Sequence, residues 1–181
     1  MAHLAHVSDC EGAKMSTAVR YKSKLVTYTH GKDALAMLVD APRMIAGLIA
    51  GVSELALRFR PLPRKWSVAE IIAHVAEDEL VTSWRYRQMI EDSGRPLAAF
   101  DQDKWARLGD YATWNPWVAL QMFRLLREAN VRMLKRLTSE EWERCGIHAE
   151  RGKVTVRDIA QHVAGHDLNH IEQIRAILHT R

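Results

Sequence analysis

Four long stretches of the sequence carry apolar residues three and four positions apart, which is the spacing of an amphipathic α-helix. Each such helix has one apolar stripe, and that stripe must be buried against a partner. Convincing strand patterns, in which apolar and polar residues alternate, are few. The helices are predicted over residues 33–57, 67–91, 115–137 and 155–179. The sequence therefore predicts an all-α protein with the architecture of a four-helix bundle.

Capping residues and helix breakers predict where these helices begin and end. Ser67 and Glu70 form an S-x-x-E capping box at the start of the second helix, and Thr155 caps the last helix. Pro42 lies inside the first pattern and is expected to kink or split that helix, because proline lacks the N–H group and crowds the preceding turn. The segment 144–153, which contains two glycines, is predicted to be a loop.

The connection between the second and third helices is long, at about twenty residues, and one short helical turn is expected near 101–108. Connections of that length are uncommon in compact domains unless they cross the structure or carry function. We expect this one to run along the bundle as a crossover, which would leave helices two and three parallel.

The chain is long enough for one core and short for two full domains. Residues 1–30 show no clear period and are predicted to be a loosely ordered N-terminal arm, so that residues 31–181 form the bundle. The arm contains a second methionine, Met15, and the sequence leaves open which methionine is the true start.

Three histidines, His162, His166 and His170, are four residues apart in the last predicted helix. An α-helix has 3.6 residues per turn, so all three imidazoles project from one side. A histidine pair at positions i and i+4 is a metal-chelating geometry. The alternative is that these histidines are solvated, or are buried, neutral and hydrogen-bonded.

A fourth histidine, His74, lies two turns inside the second helix. At 1.5 Å per residue it is about 10 Å from the start of that helix, while His170 and His166 are about 12 and 18 Å from the end of theirs. If the two helices are antiparallel neighbours, His74 lies level with the pair. Three imidazole ligands would leave coordination positions open for water or substrate, as in catalytic metal sites.

Composition argues against nucleic-acid and membrane partners. The net charge is only +4, and basic residues are interleaved with acidic ones rather than forming a basic stripe. No apolar run approaches the roughly 18 residues that span a bilayer. Cys10 and Cys145 are far apart and outside any metal-binding spacing, so a reducing cytoplasm is the expected location. A small-molecule substrate is expected, with self-association as a homodimer through an exposed helix face.

Two separated motifs resemble the DinB (YfiT-like) superfamily. The first is the single histidine, His74, after a Trp-Ser-x-x-Glu helix start, and the second is Gly-His-Asp-x-x-His-x-x-Gln-Ile at 165–174. The resemblance covers about residues 33 to 178 and includes the intervening segment 142–156, which is similar to one branch of the family. It implies a four-helix bundle with one long crossover between helices two and three.

The resemblance also implies a divalent metal held by three histidines, which by position are His74, His166 and His170. An all-imidazole site suits Zn or Ni, and Fe is a further alternative. The family pattern does not require His162, which is expected near the ligands or in the core. Asp78 is placed to approach the metal or hydrogen-bond a ligand, and Gln173 to line the site.

Characterised members of the family include enzymes that transfer or isomerise with low-molecular-weight thiols such as bacillithiol and mycothiol. The resemblance thus implies a metal-dependent enzyme, either a transferase that presents such a thiol to an electrophile or a hydrolase that uses metal-activated water. The alternatives are a non-catalytic metal- or ligand-binding stress-response bundle and a histidine-lined core without metal. The sequence identifies no catalytic residue beyond the metal ligands.

Overall fold

The computed structural model describes residues 17–180, with side chains from residue 23 onward. In chain order its elements are α1 (Thr17–Thr29), α2 (Ala34–Ile49), α3 (Glu54–Leu57), α4 (Val68–Glu91), α5 (Gln102–Leu108), α6 (Pro116–Leu134), α7 (Ser139–Trp142), β1 (Cys145–His148), β2 (Gly152–Thr155) and α8 (Val156–His179). No helix in this part of the chain is long and apolar enough to cross a membrane.

Helices α2, α4, α6 and α8 form the four-helix bundle that the sequence predicted. Each of α2 and α4 packs against both α6 and α8. The hydrogen-bonded pairs Glu79–Arg127 and Ser83–Asn130 advance in the same direction along α4 and α6, so these two helices are parallel. The connection between them, which contains α5, must therefore run from one end of the bundle to the other. The predicted crossover is confirmed.

The capping box at the start of α4 is present. The Ser67 hydroxyl accepts a hydrogen bond from the Glu70 N–H at 3.2 Å, and a Glu70 carboxylate oxygen accepts one from the Ser67 N–H at 2.8 Å. Arg60 also binds this carboxylate, with Nε 2.8 Å from Oε2. Burial alone would raise the pKa of Glu70, but Arg60 and Ser67 outweigh it and leave that pKa below its ordinary value. These contacts anchor α4 two turns before His74.

The first predicted helix is split, but not at Pro42. That proline lies within α2, and the chain breaks after Ile49 instead. Gly51 adopts a positive φ of 75°, a conformation in which glycine has no steric penalty. Ser53 then caps the short helix α3 with its side-chain oxygen. The glycine that ends the turn, not the proline, therefore determines the break.

The loop predicted at 144–153 is wrong, because this segment forms an antiparallel hairpin. Cys145 pairs with Thr155 and His148 with Gly152. The hairpin is also held by the crossover: the Leu97 N–H donates to the Ile147 carbonyl oxygen at 2.9 Å. Strands this short are stabilised mainly by such tertiary contacts. These contacts cannot be inferred from the pattern of neighbouring residues in the sequence.

Helix α1 occupies part of the stretch that the sequence predicted to be loosely ordered. Residues 17–29 are helical and pack against α8, whereas residues 1–16 lie outside the described residues. Leu25 is buried, and a Cβ atom added at Gly165 of α8 would lie 2.8 Å from the Leu25 carbonyl oxygen. Glycine at this position permits the close approach of the two helices. Helices of this length depend on such tertiary contacts for most of their stability.

The buried apolar side chains form two clusters, each with contributions from all four bundle helices. One includes Ile45, Ile72 and Phe123, and the other includes Leu38, Met89 and Val163. Buried polar side chains lie between the clusters along α4, α6 and α8. We call them the polar layer; it consists of His74, Glu79, Arg127, Asn130, His166, Asp167, Asn169 and His170.

Arg127 of α6 links the helices around the polar layer and is only 3% exposed. Its Nη1 donates to Asp167 Oδ2 at 2.6 Å and to the Leu38 carbonyl oxygen at 3.0 Å, and its Nη2 donates to Glu79 Oε2 at 2.8 Å. Burial alone would lower the pKa of Arg127, but the two carboxylates outweigh it and raise that pKa. One guanidinium thus joins α6 to α2, α4 and α8.

Replacing Arg127 should destabilise the whole bundle. In Arg127→Met the carboxylates of Glu79 and Asp167 lose their buried cation, and we expect the free energy of unfolding to fall by about 3–5 kcal/mol. The matched control is Arg124→Met, at an exposed position of the same helix, which should change stability by about 0.5 kcal/mol or less. Urea unfolding at pH 7 measures both. Equal effects of the two substitutions would contradict this role of Arg127.

Candidate metal centre

Three buried histidines from two helices converge at one point of the polar layer. His74 comes from α4, and His166 and His170 come from α8. One ring nitrogen from each lies within 4.8 Å of the other two. The Nε2 atom of His166 is 3.1 Å from the Nε2 atoms of both His74 and His170. The structure therefore brings together the three residues that the sequence singled out as metal ligands.

The position of these rings follows from the helix geometry. His166 and His170 are one turn apart on α8, so their side chains point the same way. His74 meets both of them, and Asp78, one turn after His74, approaches only the earlier of the two, His166. Contacts that advance along α4 therefore run backward along α8, so the two helices are antiparallel. This is the arrangement in which His74 was expected to lie level with His166 and His170.

The donor set fits a divalent cation. Burial lowers the pKa of His74 well below its ordinary value and that of His170 to about 3, so both rings are neutral and can present a nitrogen lone pair. Three such nitrogens facing one another repel unless a proton or a cation lies among them. Neutral imidazole is the form that binds transition metals.

His166 is placed where positive charge is favoured. Its Nδ1 is buried without a hydrogen-bond partner among the described residues, and it lies 3.7 Å from Asp78 Oδ2 and 3.8 Å from Asp167 Oδ1. Burial lowers the pKa of His166, but Asp78 and Asp167 more than offset this and leave the pKa raised. The carboxylates would equally stabilise a divalent ion among the three rings.

Gln173 and His162 occupy different positions around the three rings. The Gln173 Oε1 atom is 3.0 Å from His170 Nδ1. When Nδ1 donates its proton to this oxygen, Nε2 is left unprotonated and faces the other rings. His162 is outside the group of converging nitrogens; its ring stacks on that of His166 with centroids 6.4 Å apart. Burial and the nearby charge of Arg151 lower the pKa of His162 to about 3.

Two cavities reach the histidines from different sides. The first, of about 550 Å³, is lined by Trp66, Lys65, His170 and Gln173 among others. The second, of about 310 Å³, is lined by His74, Asp78, His166, Arg85 and Arg151 among others. Gln102 of α5 lines both, so the crossover segment covers the region between them. Both cavities are within or near the size range of small-molecule sites.

Arg85 and Arg151, which line the second cavity, were not predicted from the sequence as site residues. A signal for Arg85 was available, because His74, Asp78, Thr82 and Arg85 are spaced at four, four and three residues and share one face of α4. No comparable signal existed for Arg151. It reaches the cavity only because the unpredicted hairpin folds over that end of the bundle.

Comparison with known proteins shows which family this chain resembles. The model of the DinB superfamily matches residues 37–174. A protein of Oceanobacillus iheyensis named "Putative metal-dependent hydrolase" is 26% identical over 113 residues, which are 62% of this chain and 65% of that protein. The chain thus spans slightly less than two thirds of that relative. A second protein of the same name and organism is 22% identical over 138 residues, 76% of this chain and 80% of that protein.

A solved structure shows the same fold. YfiT from Bacillus subtilis, described as "a probable metal-dependent hydrolase with an unusual four-helix bundle topology", superposes with a TM-score of 0.75. The identity is 16%, and the match covers 94% of this chain and 91% of that one. The likeness of fold agrees with the family match, which covers more than half of the chain. The chain therefore belongs to the DinB superfamily.

Proposed function

We propose that this protein is a metal-dependent enzyme in which His74, His166 and His170 bind a divalent ion. The observation that carries the proposal is the convergence of one ring nitrogen from each within 4.8 Å, from rigid helices, beside two cavities. Zn or Ni suits three imidazoles, and Fe is a further candidate. The names of the relatives, which call them metal-dependent, support the same site.

A divalent ion held there would act as a Lewis acid that lowers the pKa of a bound thiol or water. The protein's own groups fix the rings that would hold it. Gln173 accepts from the Nδ1 of His170, and Asp78 and Asp167 flank the Nδ1 of His166. Because Arg127 binds Asp167, the position of that carboxylate is set by the polar layer. Such contacts around ligands orient them and increase their basicity.

Transfer of a low-molecular-weight thiol to an electrophile is the reaction that we propose first. A transfer needs two reactants at one point, and two separate cavities meet at the histidines. The thiol proton would be lost to solvent, the sulfur would bond to the electrophilic carbon, and the leaving group would depart with the electron pair of its bond. Hydrolysis by activated water is the second candidate, and the names of the relatives favour it.

Openness of the site argues for catalysis over a closed structural or storage role. A structural metal site normally has four protein ligands and no access for substrate. Here three side chains converge, and both cavities provide access. A non-catalytic stress-response bundle remains the alternative, which would bind metal or ligand without turning over any substrate.

Metal content tests the ligand set. Wild-type protein without a tag is expected to contain about one Zn, Ni or Fe ion per chain by mass spectrometry. His74→Ala and His166→Ala should each lose it, because only two of the three imidazoles remain. His179→Ala, an exposed position at the end of the same helix as His166, should retain it. No bound metal in the wild type, with none taken up on titration at neutral pH, would exclude the proposed site.

Model substrates distinguish thiol transfer from hydrolysis. With bacillithiol or mycothiol and 1-chloro-2,4-dinitrobenzene, a transferase should form the thioether and release chloride, at a rate that depends on metal and is lost in His166→Ala. A hydrolase should instead cleave p-nitrophenyl acetate with no dependence on the thiol. Thioether formation is the expected result. Full activity in metal-free His166→Ala would contradict both reactions, and no metal-dependent turnover of either kind would favour the non-catalytic alternative.

We also propose a homodimer through an exposed face of α4. Leu80 and Trp84 are one turn apart there and are 46% and 65% exposed, so they form an adjacent apolar pair on the surface of the bundle. Sedimentation velocity should give twice the mass of one chain for the wild type and the monomer mass for Trp84→Glu. A wild-type monomer at the highest soluble concentration would contradict this assembly.

A further inference from the structure

Arg85 is a buried cation in the wall of the second cavity. The residue is 8% exposed, and its Nη2 donates to the Ala98 carbonyl oxygen at 2.7 Å. Its Nε is buried with no hydrogen-bond partner among the described residues. A guanidinium has five N–H donors and stays charged at neutral pH, so a buried Nε without an acceptor is costly. The side chain is thus equipped to bind an acceptor that the protein itself does not supply.

Arg151 provides a second cation in the wall of the same cavity. It comes from the hairpin, whereas Arg85 comes from α4. It lies between β1 and β2, in the turn of the hairpin, and is partly buried. Burial and the charge of Arg85 both lower the pKa of Arg151. In residues 17–180 no carboxylate lies within 4 Å of either guanidinium, whereas Arg127 and Arg60 are each paired directly. Asp78 and Glu150 also line this cavity, but neither forms an ion pair with Arg85 or Arg151, so the donors of the two guanidiniums are left for an anionic ligand.

The two arginines and the histidines face one continuous space. His74 and His166 line the cavity that Arg85 and Arg151 also line. Arg85 is eleven positions after His74, which is about 16.5 Å along the axis of α4. One elongated small molecule could therefore contact both ends.

We propose that Arg85 and Arg151 bind a carboxylate of the substrate while its reacting end lies at the three histidines. The placement of the reacting end rests on the proposed function; the carboxylate site does not. Arginine is suited to this role, because its planar fork donates two parallel hydrogen bonds to one carboxylate. The ring of Phe100, with its centroid 5.6 Å from the Arg85 guanidinium, covers the cation on one side. The substrate class is accordingly a small acid and not a neutral molecule.

The test compares acids with their neutral isosteres. The probes are 3-mercaptopropionate and 6-mercaptohexanoate, each beside its primary amide, titrated into full-length protein in a calorimeter. For at least one of the two carbon-chain lengths, the acid should bind at least about tenfold more tightly than the amide. In Arg85→Gln and Arg151→Gln this preference should fall below about threefold, since the charged donors are lost. Arg175→Gln, which removes an exposed charge from α8, should keep the preference.

Titrations with and without Co²⁺ separate this proposal from the metal proposal. The preference for acid over amide should appear in metal-free protein, because the arginines alone produce it. Addition of Co²⁺ should tighten acid and amide alike through the thiol. A preference that is present without any effect of Co²⁺ would support the carboxylate site and reject the metal enzyme.

Three results would overturn the carboxylate site. They are equal affinity of acid and amide at both lengths, no binding of either acid at millimolar concentration, and an unchanged preference in both arginine variants. Circular dichroism first establishes that each variant is folded. If Arg85→Gln is not folded, the Arg151→Gln variant decides alone, because its residue is in a hairpin turn outside the bundle core. A purely structural role of the arginines would leave the acid–amide ratio unchanged.

Discussion

The buried ion pairs of Arg127 fix how the helices of the bundle are aligned with one another. Glu79 and Asp167 are both 2% exposed, and each is bound by the same guanidinium. Glu79 is five residues after His74, and Asp167 directly follows His166. Sliding α4 or α8 by one turn would leave a carboxylate buried and unpaired, at a cost of about 3–5 kcal/mol. The pairing therefore holds the two helices at the level where their histidines meet.

The charges around the polar layer also explain why two different ligands suit the two ends of one cavity. Near the histidines, Asp78, Glu79 and Asp167 outnumber the single cation of Arg127. Burial raises the pKa of Glu79, whereas Arg127 and His166 overcome burial and lower the pKa of Asp167. This end favours a cation. At the other end Arg85 and Arg151 lack a directly paired carboxylate, which favours an anion. A metal ion would complement the end at the histidines, and an acidic substrate would complement the end at the arginines.

The bundle and the histidines could be predicted because each rests on local rules. The capping box at Ser67 and the i, i+4 spacing of His166 and His170 need only a few neighbouring residues. By contrast, the hairpin at 145–155 depends on its contact with Leu97, and α1 depends on the close approach at Gly165. Both contacts join distant parts of the chain. The role of Arg151 could not be predicted for the same reason, since the hairpin positions it.

A crystal of the metal-loaded protein would reveal whether one ion lies among the three rings from two helices. Diffraction data recorded on both sides of the absorption edge of the metal locate the ion without reference to any ligand. A single anomalous peak about 2.0–2.2 Å from a ring nitrogen of each of His74, His166 and His170 is the predicted result. A fully loaded crystal with its peak elsewhere, or with fewer than three of these rings in contact, would contradict the account.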